Sequence, residues 1–273
     1  MTGVNPQTIP LDDPDTISLF SSTEKLGYRD EPLLRPTDTG VIGFWSCCKY
    51  EELRPKQFGN LVRLFGSPCA GKLWPGNTWR SVLGGGANYG ESVVFRDDIL
   101  LYLRRHGVEQ ETAYRITEVI GEGQLEGHDM AQRWVNVMRS HGVPDRYIRP
   151  LFKIDYLSYK AQAVTSVMID YRLMWFDLYY PLAFYCACFS NSTSAAEATV
   201  ICRGIDAVKT GLQTLMDDWE QGWEWSEEKA GWVGTLKVAY ELYLRGFGIM
   251  SDEFSGERTP QFLIADAKNL KIF

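Results

Sequence analysis

The sequence has 273 residues, 45% hydrophobic and 23% charged, with a formal net charge of −7. That balance fits a globular chain able to bury a sizeable core, as one large domain or two small ones. The surplus of acid excludes a uniformly basic nucleic-acid binder, because phosphate binding needs local positive potential. Acids and bases nearly balance up to residue 172, and the excess, 14 Asp/Glu against 8 Lys/Arg, falls in residues 173–273, so a basic face remains open to the middle third.

In chain order, residues 1–55 are rich in Pro, Asp, Thr and Ser and read as irregular structure with short helical turns. "LDDPDTISLF" offers a helix capped at Asp13 or Asp15. "MTGVNPQTIPLDDPDT" has neither the basic nor the apolar region of a signal peptide. "KQFGNLVRLFG" reads as a short helix ending at Gly66. "PGNTWRSVLGGGANYG" is loop-rich. Its Gly84-Gly85-Gly86 run lacks the Lys-Ser/Thr and the preceding strand of a phosphate-cradling loop, and a flexible loop is the better reading. Residues 1–95 thus form a loop-rich part, followed by a helical core over 96–250 and a tail over 251–273.

The pattern turns helical at Asp97. Ile99, Leu100 and Leu103 follow, and Gly107 stops that helix. The next starts near Glu109–Thr112, carries Ala113, Ile116 and Ile120 on one face, and ends at Gly121. A third carries Met130, Trp134 and Val137, and Pro144 with Asp145 opens a fourth. Ala163, Val167, Tyr171, Met174 and Leu178 define a long helix, broken by Pro181. Two more long helices are expected around 193–221 and 226–246. The fold class is therefore mainly α, with room for a small β element among residues 30–90 or near 258–265. The most apolar region, about residues 161–189, contains Asp170, Arg172 and Asp177, which argues against a membrane span. The expected location is cytoplasmic.

Asp97 and Asp98 raise the question of a metal site. Two acids in the first turn of a helix offset its unpaired N–H groups and the positive end of its dipole. Neighbouring helical residues point about 100° apart, a poor two-oxygen clamp for one ion, and no third carboxylate stands at a supporting spacing. Capping is favoured, and no metal or cofactor is expected. His106, His128 and His141 sit beside glycines and read as helix-end residues. Cys47, Cys48, Cys69, Cys186, Cys188 and Cys202 form no CxxC pair and read as buried thiols. The tryptophans of "DDWEQGWEWSEEKAGW" could stack bases, but the many acids favour packing aromatics.

Several stretches, read in order, resemble the C-terminal part of PolC-type DNA polymerase III, a C-family replicative polymerase. They are "IPLDDPDTISLFSS", "RPKQFGNLVRLFG", "LWPGN", "FRDDILLYLRRHGVEQETAYRITEVI", "MRSHGVPDRYI" with "YKAQAVTSVMIDYRLMWFDLYYPLAFYCACF", and "LRGFG". The resemblance covers about residues 1–266. It implies a mostly helical fingers region lacking the palm, where the family's metal-binding aspartates lie. Asp97 and Asp98 then match a structural segment. The family's Lys-Ala-His-Ala-Ala-Ala-Tyr run near the incoming nucleotide reads "KAQAVTS" here: Lys160 is kept, Gln162 stands for the His and Ser166 for the Tyr. The family's Gly-Ile-Pro-Glu-Phe-Gly-Thr run gives way to "FWSCC" after Gly43, and its Ser-His-Gly run to Pro68–Ala70.

These departures imply a fold retained without its catalysis, and the chain alone is expected to be inactive as a polymerase. As a relative acting in or on replication, it would bind primer–template DNA or a replisome protein. Arg96, Lys153, Lys160 and Arg172 are the candidate nucleic-acid contacts, although each taken alone reads more simply as a solvated charge or an ion pair. As a protein-interaction module, it would dock on the sliding clamp through a C-terminal peptide, and the replicative polymerase is a further candidate partner. Asn269, Leu270, Ile272 and Phe273 resemble the family's clamp-binding Gln-Leu-x-Leu-Phe, while Asp266–Leu270 also resembles a strand of the family. A fragment or split half of a DNA-directed DNA polymerase is a further reading, opposed by Met1 and by the divergent nucleotide helix.

Overall fold

A computed structural model describes residues 1–29, 31–34, 54–66, 93–220, 226–251, 254 and 259–273. The Gly84–Gly86 run, Cys47, Cys48, Cys69, the divergent "FWSCC" and Pro68–Ala70 segments, and residues 221–225 of the Trp-rich stretch lie outside these. The chain divides into two compact units: Gln57–Met168, and Met1–Lys56 with Ile169–Phe273. This division follows neither the 95/96 nor the 250/251 boundary drawn from the sequence.

The Gln57–Met168 unit is helical. Helix α2 (Phe58–Gly66) buries Leu61, Val62 and Leu64. Helices α3 (Arg96–Arg105) and α4 (Gln110–Gly121) form a hairpin around Gly107, whose φ of 81° only glycine adopts easily. Ile99 and Leu103 on α3 are buried, as are Ala113, Ile116 and Ile120 on α4. Helices α5 (Ala131–Ser140) and α6 (Asp145–Leu151) follow; α5 turns Trp134, Val135 and Met138 inward, so its buried face runs beside Val137 rather than through it. Helix α7 (Lys160–Tyr179) begins in this unit, and the unit boundary falls within it.

In the other unit, Asp13 caps helix α1 (Pro14–Ser18), accepting from the Thr16 N–H at 2.9 Å. Tyr171 and Tyr179 of α7 reach the same aspartate, Tyr171 Oη accepting from its N–H at 2.9 Å and Tyr179 Oη donating to its carboxylate at 3.1 Å. Pro181 ends α7 and also opens helix α8 (Pro181–Ser192) at its first position, where a proline's missing N–H costs nothing. The single helix expected over 193–221 is two, α9 (Ala195–Ile201) and α10 (Ile205–Glu220). Ser194 and Glu197 cap α9 reciprocally, and Gly204, with φ of 94°, turns the chain between them. Helix α11 (Glu227–Leu244) follows.

The small β element is a three-stranded sheet. Strand β3 (Asn269–Ile272) lies between β1 (Gly248–Met250), to which it is parallel, and β2 (Phe262–Ile264), to which it is antiparallel. Phe262, Leu270 and Ile272 are buried. Helix α8 packs against β2: the Phe189 and Phe262 rings lie 5.2 Å apart, and Cys186 Sγ donates to the Phe262 carbonyl at 3.0 Å. Among the described residues no helix is long and apolar enough to cross a membrane.

Truncating the central strand therefore removes core. Leu270→Ala is expected to cost roughly 2–5 kcal/mol, and Leu263→Ala, on the exposed face, less than about 0.5 kcal/mol. Urea unfolding of the two variants checks the difference.

Candidate nucleic-acid interface

The two adjacent aspartates act on different partners. Asp98 turns back to the start of its own helix: Oδ2 accepts from the backbone N–H of Val94 at 2.9 Å and of Phe95 at 3.0 Å, while Oδ1 meets Arg63 at 3.2 Å. Asp97 turns outward, and its Oδ2 accepts the Lys160 N–H at 2.9 Å, capping the first turn of α7. The 100° between them separates these tasks. Both carboxylates serve as caps, the reading favoured from the sequence.

Between them and the rest of the unit stands Arg96, only 3% exposed. Its Nε donates to the Leu157 carbonyl at 2.7 Å, Nη1 to Glu118 at 3.0 Å, and Nη2 to Glu122 and to the Gly121 carbonyl. The Tyr156 and Tyr159 rings lie 5.5 and 4.9 Å from its guanidinium carbon. Gly121 is required here, since a Cβ would stand 2.5 Å from Arg96 Nε. Burial opposes the charge, but the bonds from Glu122 and the fields of Glu118 and Glu122 outweigh it and raise the pKa. Arg96 was a candidate phosphate contact. The structure corrects that: its donors are engaged with protein acceptors, and it works as a buried hub.

The same hub arranges the neighbouring surface. Tyr159 donates to Glu118 at 2.8 Å, which raises the phenol pKa. Tyr114, Tyr156 and Tyr159 remain about half exposed. Lys160 follows directly, exposed, with exposed Gln162 and Thr165 on the outward side of α7 and buried Ala163 and Val167 on the inward side. Lys153 is exposed just before this loop. Lys160, directly after exposed Tyr159, can contact phosphate beside a ring able to stack on a base. Asp97, Glu118, Glu122 and exposed Asp155 make the face mixed in charge, so phosphate contact would rest on Lys153 and Lys160. Arg172, half-buried, lies in the other unit. The structure therefore brings Lys153 and Lys160 to one stretch of one unit and does not add Arg96 or Arg172 to it. The aromatic component was missed in the sequence; its signal was the tyrosine spacing of "DYLSYK".

Of the C-terminal residues that resemble a clamp peptide, Leu270 and Ile272 are fully buried in the sheet and Asn269 pairs with Gly248 in β1, while Phe273 is 40% exposed. The strand alignment fits this placement. Two of the three histidines occupy helix ends: His106 and His141 stand at the C-caps of α3 and α5, each with Nδ1 at the carbonyl four residues back, while His128 lies in the loop before α5 and accepts the Met130 N–H.

Fold and face together define a mostly helical scaffold that presents a small lysine–tyrosine surface. The chain resembles part of PolC-type DNA polymerase III. It is 30% identical over 272 residues to that of Lactococcus lactis subsp. lactis, covering 97% of this chain and 16% of the relative. It is 32% identical over 278 residues to that of Thermotoga maritima, covering 100% and 20%. For the protein of Caldanaerobacter subterraneus subsp. tengcongensis the identity is 32% over 270 residues, covering 97% and 19%. The chain thus spans a fifth or less of the length of these curated relatives. No protein-family model matches it.

Arg96→Ala strands the Leu157 carbonyl, while the Gly121 carbonyl keeps the Leu157 N–H, and is expected to cost roughly 1–3 kcal/mol with the exposed carboxylates discounted. Lys160→Ala should stay within about 0.5 kcal/mol of the parent. Thermal or urea unfolding separates the hub from the surface residue.

Proposed function

We propose that this chain is a non-catalytic relative of the fingers region of a replicative DNA polymerase, acting in or on DNA replication by binding primer–template DNA. The observation that carries the reading is similarity at about 30% identity along 97–100% of the chain to PolC-type DNA polymerase III. Lys153 and Lys160 supply the phosphate contacts, and Tyr156 and Tyr159 offer rings beside them.

Two features support the absence of polymerisation by this chain alone. Two-metal phosphoryl transfer needs carboxylates free to hold the ions, and Asp97 and Asp98 direct their oxygens to N–H groups and Arg63. Gln162 and Ser166 replace the protonatable ring and the aromatic platform that the family carries beside its lysine.

The test is fluorescence anisotropy of a labelled primer–template duplex titrated with the protein over a salt series. Binding should weaken steeply with salt, and Lys160→Ala should lower the salt slope by about one contact. Absence of binding at the lowest salt would overturn the DNA reading in favour of a replisome protein as partner. Nucleotide incorporation by the purified chain would overturn the non-catalytic reading.

A further inference from the structure

The Ile169–Phe273 part of its unit contains a second charged cluster, away from Lys153 and Lys160. Asp177 on α7 and Glu241 on α11 are fully buried, with side-chain exposures of 0% and 1%. One cation serves both. Arg245, at the end of α11, donates from Nη1 to Asp177 Oδ1 at 2.6 Å and from Nη2 to the Asp177 carbonyl at 3.0 Å. Nη1 also lies 2.8 Å from Tyr185 Oη and 3.4 Å from Glu241 Oε1. The Tyr185 and Phe247 rings flank the guanidinium, with centroids at 5.6 and 5.7 Å.

The two acids are not equivalent. Glu241 receives two hydroxyl donors, Tyr185 to Oε1 at 2.8 Å and Tyr28 to Oε2 at 3.0 Å. Both its oxygens are satisfied as a carboxylate. Asp177 Oδ2 is buried and receives no donor. Two ionised acids against one arginine would leave a net negative charge without solvent, which is costly. A proton on Asp177 Oδ2 removes that charge and turns the orphan acceptor into a donor, and Glu241 is its neighbouring carboxylate, since both acids meet the same Arg245 Nη1.

We propose that Asp177 is held as a neutral carboxylic acid donating to Glu241, and that this acid–carboxylate pair is a proton-dependent lock joining α7, α8 and α11. The groups facing it are Glu241, Arg245, Tyr185, Tyr28 and Cys188. Burial, then the field of Glu241, pushes Asp177 well above the carboxylate range, and Arg245 offsets this only in part. Burial, then the two acids, pushes the Cys188 thiol up to about 12, while Tyr28 and Tyr185 are raised and stay neutral. Arg245 is raised and stays charged. Burial raises Glu241 as well, but Arg245 and the Tyr185 and Tyr28 hydroxyls oppose this, so Asp177, whose Oδ2 receives no donor, is the group that titrates the lock. Its folded pKa lies above its unfolded one. Its stabilisation is full below the unfolded pKa and is lost as pH rises through the folded pKa.

The experiment is infrared spectroscopy of the whole protein at neutral pH, with and without carboxyl-labelled aspartate, joined to thermal unfolding between about pH 5 and about pH 9. The expected result is a protonated-carboxyl band that shifts with the label and is absent from Asp177→Asn. The melting temperature of wild type should fall relative to that of Asp177→Asn as pH rises, because asparagine is a donor at every pH. Absence of a protonated-aspartate band in the labelled wild type, which requires no variant, overturns the proposal. So does a melting difference that does not change with pH.

Discussion

A buried guanidinium bonded through all three of its nitrogens is the constraint on which the Gln57–Met168 unit depends. Arg96 has to find acceptors because it cannot shed its charge. Two of them are carbonyls, at Gly121 where α4 ends and at Leu157 in the loop before α7. The Leu157 N–H returns to the Gly121 carbonyl at 2.9 Å, and the Arg96 N–H to Ser158 at 3.1 Å. These bonds tie the loop to the α3–α4 hairpin. The position of Lys160 then follows, one residue beyond Tyr159, which is itself held by Glu118. The exposed lysine is a consequence of the buried arginine.

The second unit solves a similar problem with a different outcome. Each cluster sets two acids against one arginine. Around Arg96, the acid side chains are 27% and 49% exposed, so water screens the surplus negative charge. Around Arg245, the corresponding values are 0% and 1%, and screening is not available. The surplus has to be removed by a proton or by hydrogen bonds. Tyr28 and Tyr185 satisfy Glu241, and Asp177 is left to protonation. Depth of burial, not the kinds of residue, separates an ordinary surface-linked hub from a titrating lock.

Local signals carried most of the helical fold. Gly107 and Pro181 stop helices through conformational freedom and a missing N–H, effects that act within a turn. The break at Gly204 was missed because the apolar period runs through it, and only the Ser194–Glu197 cap marks a separate short helix. Helix α8 was missed because "PLAFYCACF" is apolar on all sides and has no helical period. Strand β3 competed with a peptide reading because a short alternating segment looks alike in either state until its partners, β1 and β2, are known. Of the candidate contacts, exposure of Lys153 and Lys160 was legible, whereas burial of Arg96 required Leu157 and Gly121, 61 and 25 residues away. Long-range acceptors leave no local mark.

The aspartate doublet works on two helices at once. Asp98 orders the entry to α3 and Asp97 orders the entry to α7, so one dipeptide fixes two helix starts. Both tasks aim a carboxylate oxygen at N–H groups, and Asp98, which also meets Arg63, has little left for a metal ion. The helix that Asp97 caps carries Lys160, Gln162 and Ser166 on its first two turns. Its cap depends on backbone geometry and is indifferent to which side chains face outward. The outward positions can therefore lose a protonatable ring or an aromatic platform while the helix, its capping aspartate and the Arg96 hub beneath it remain intact.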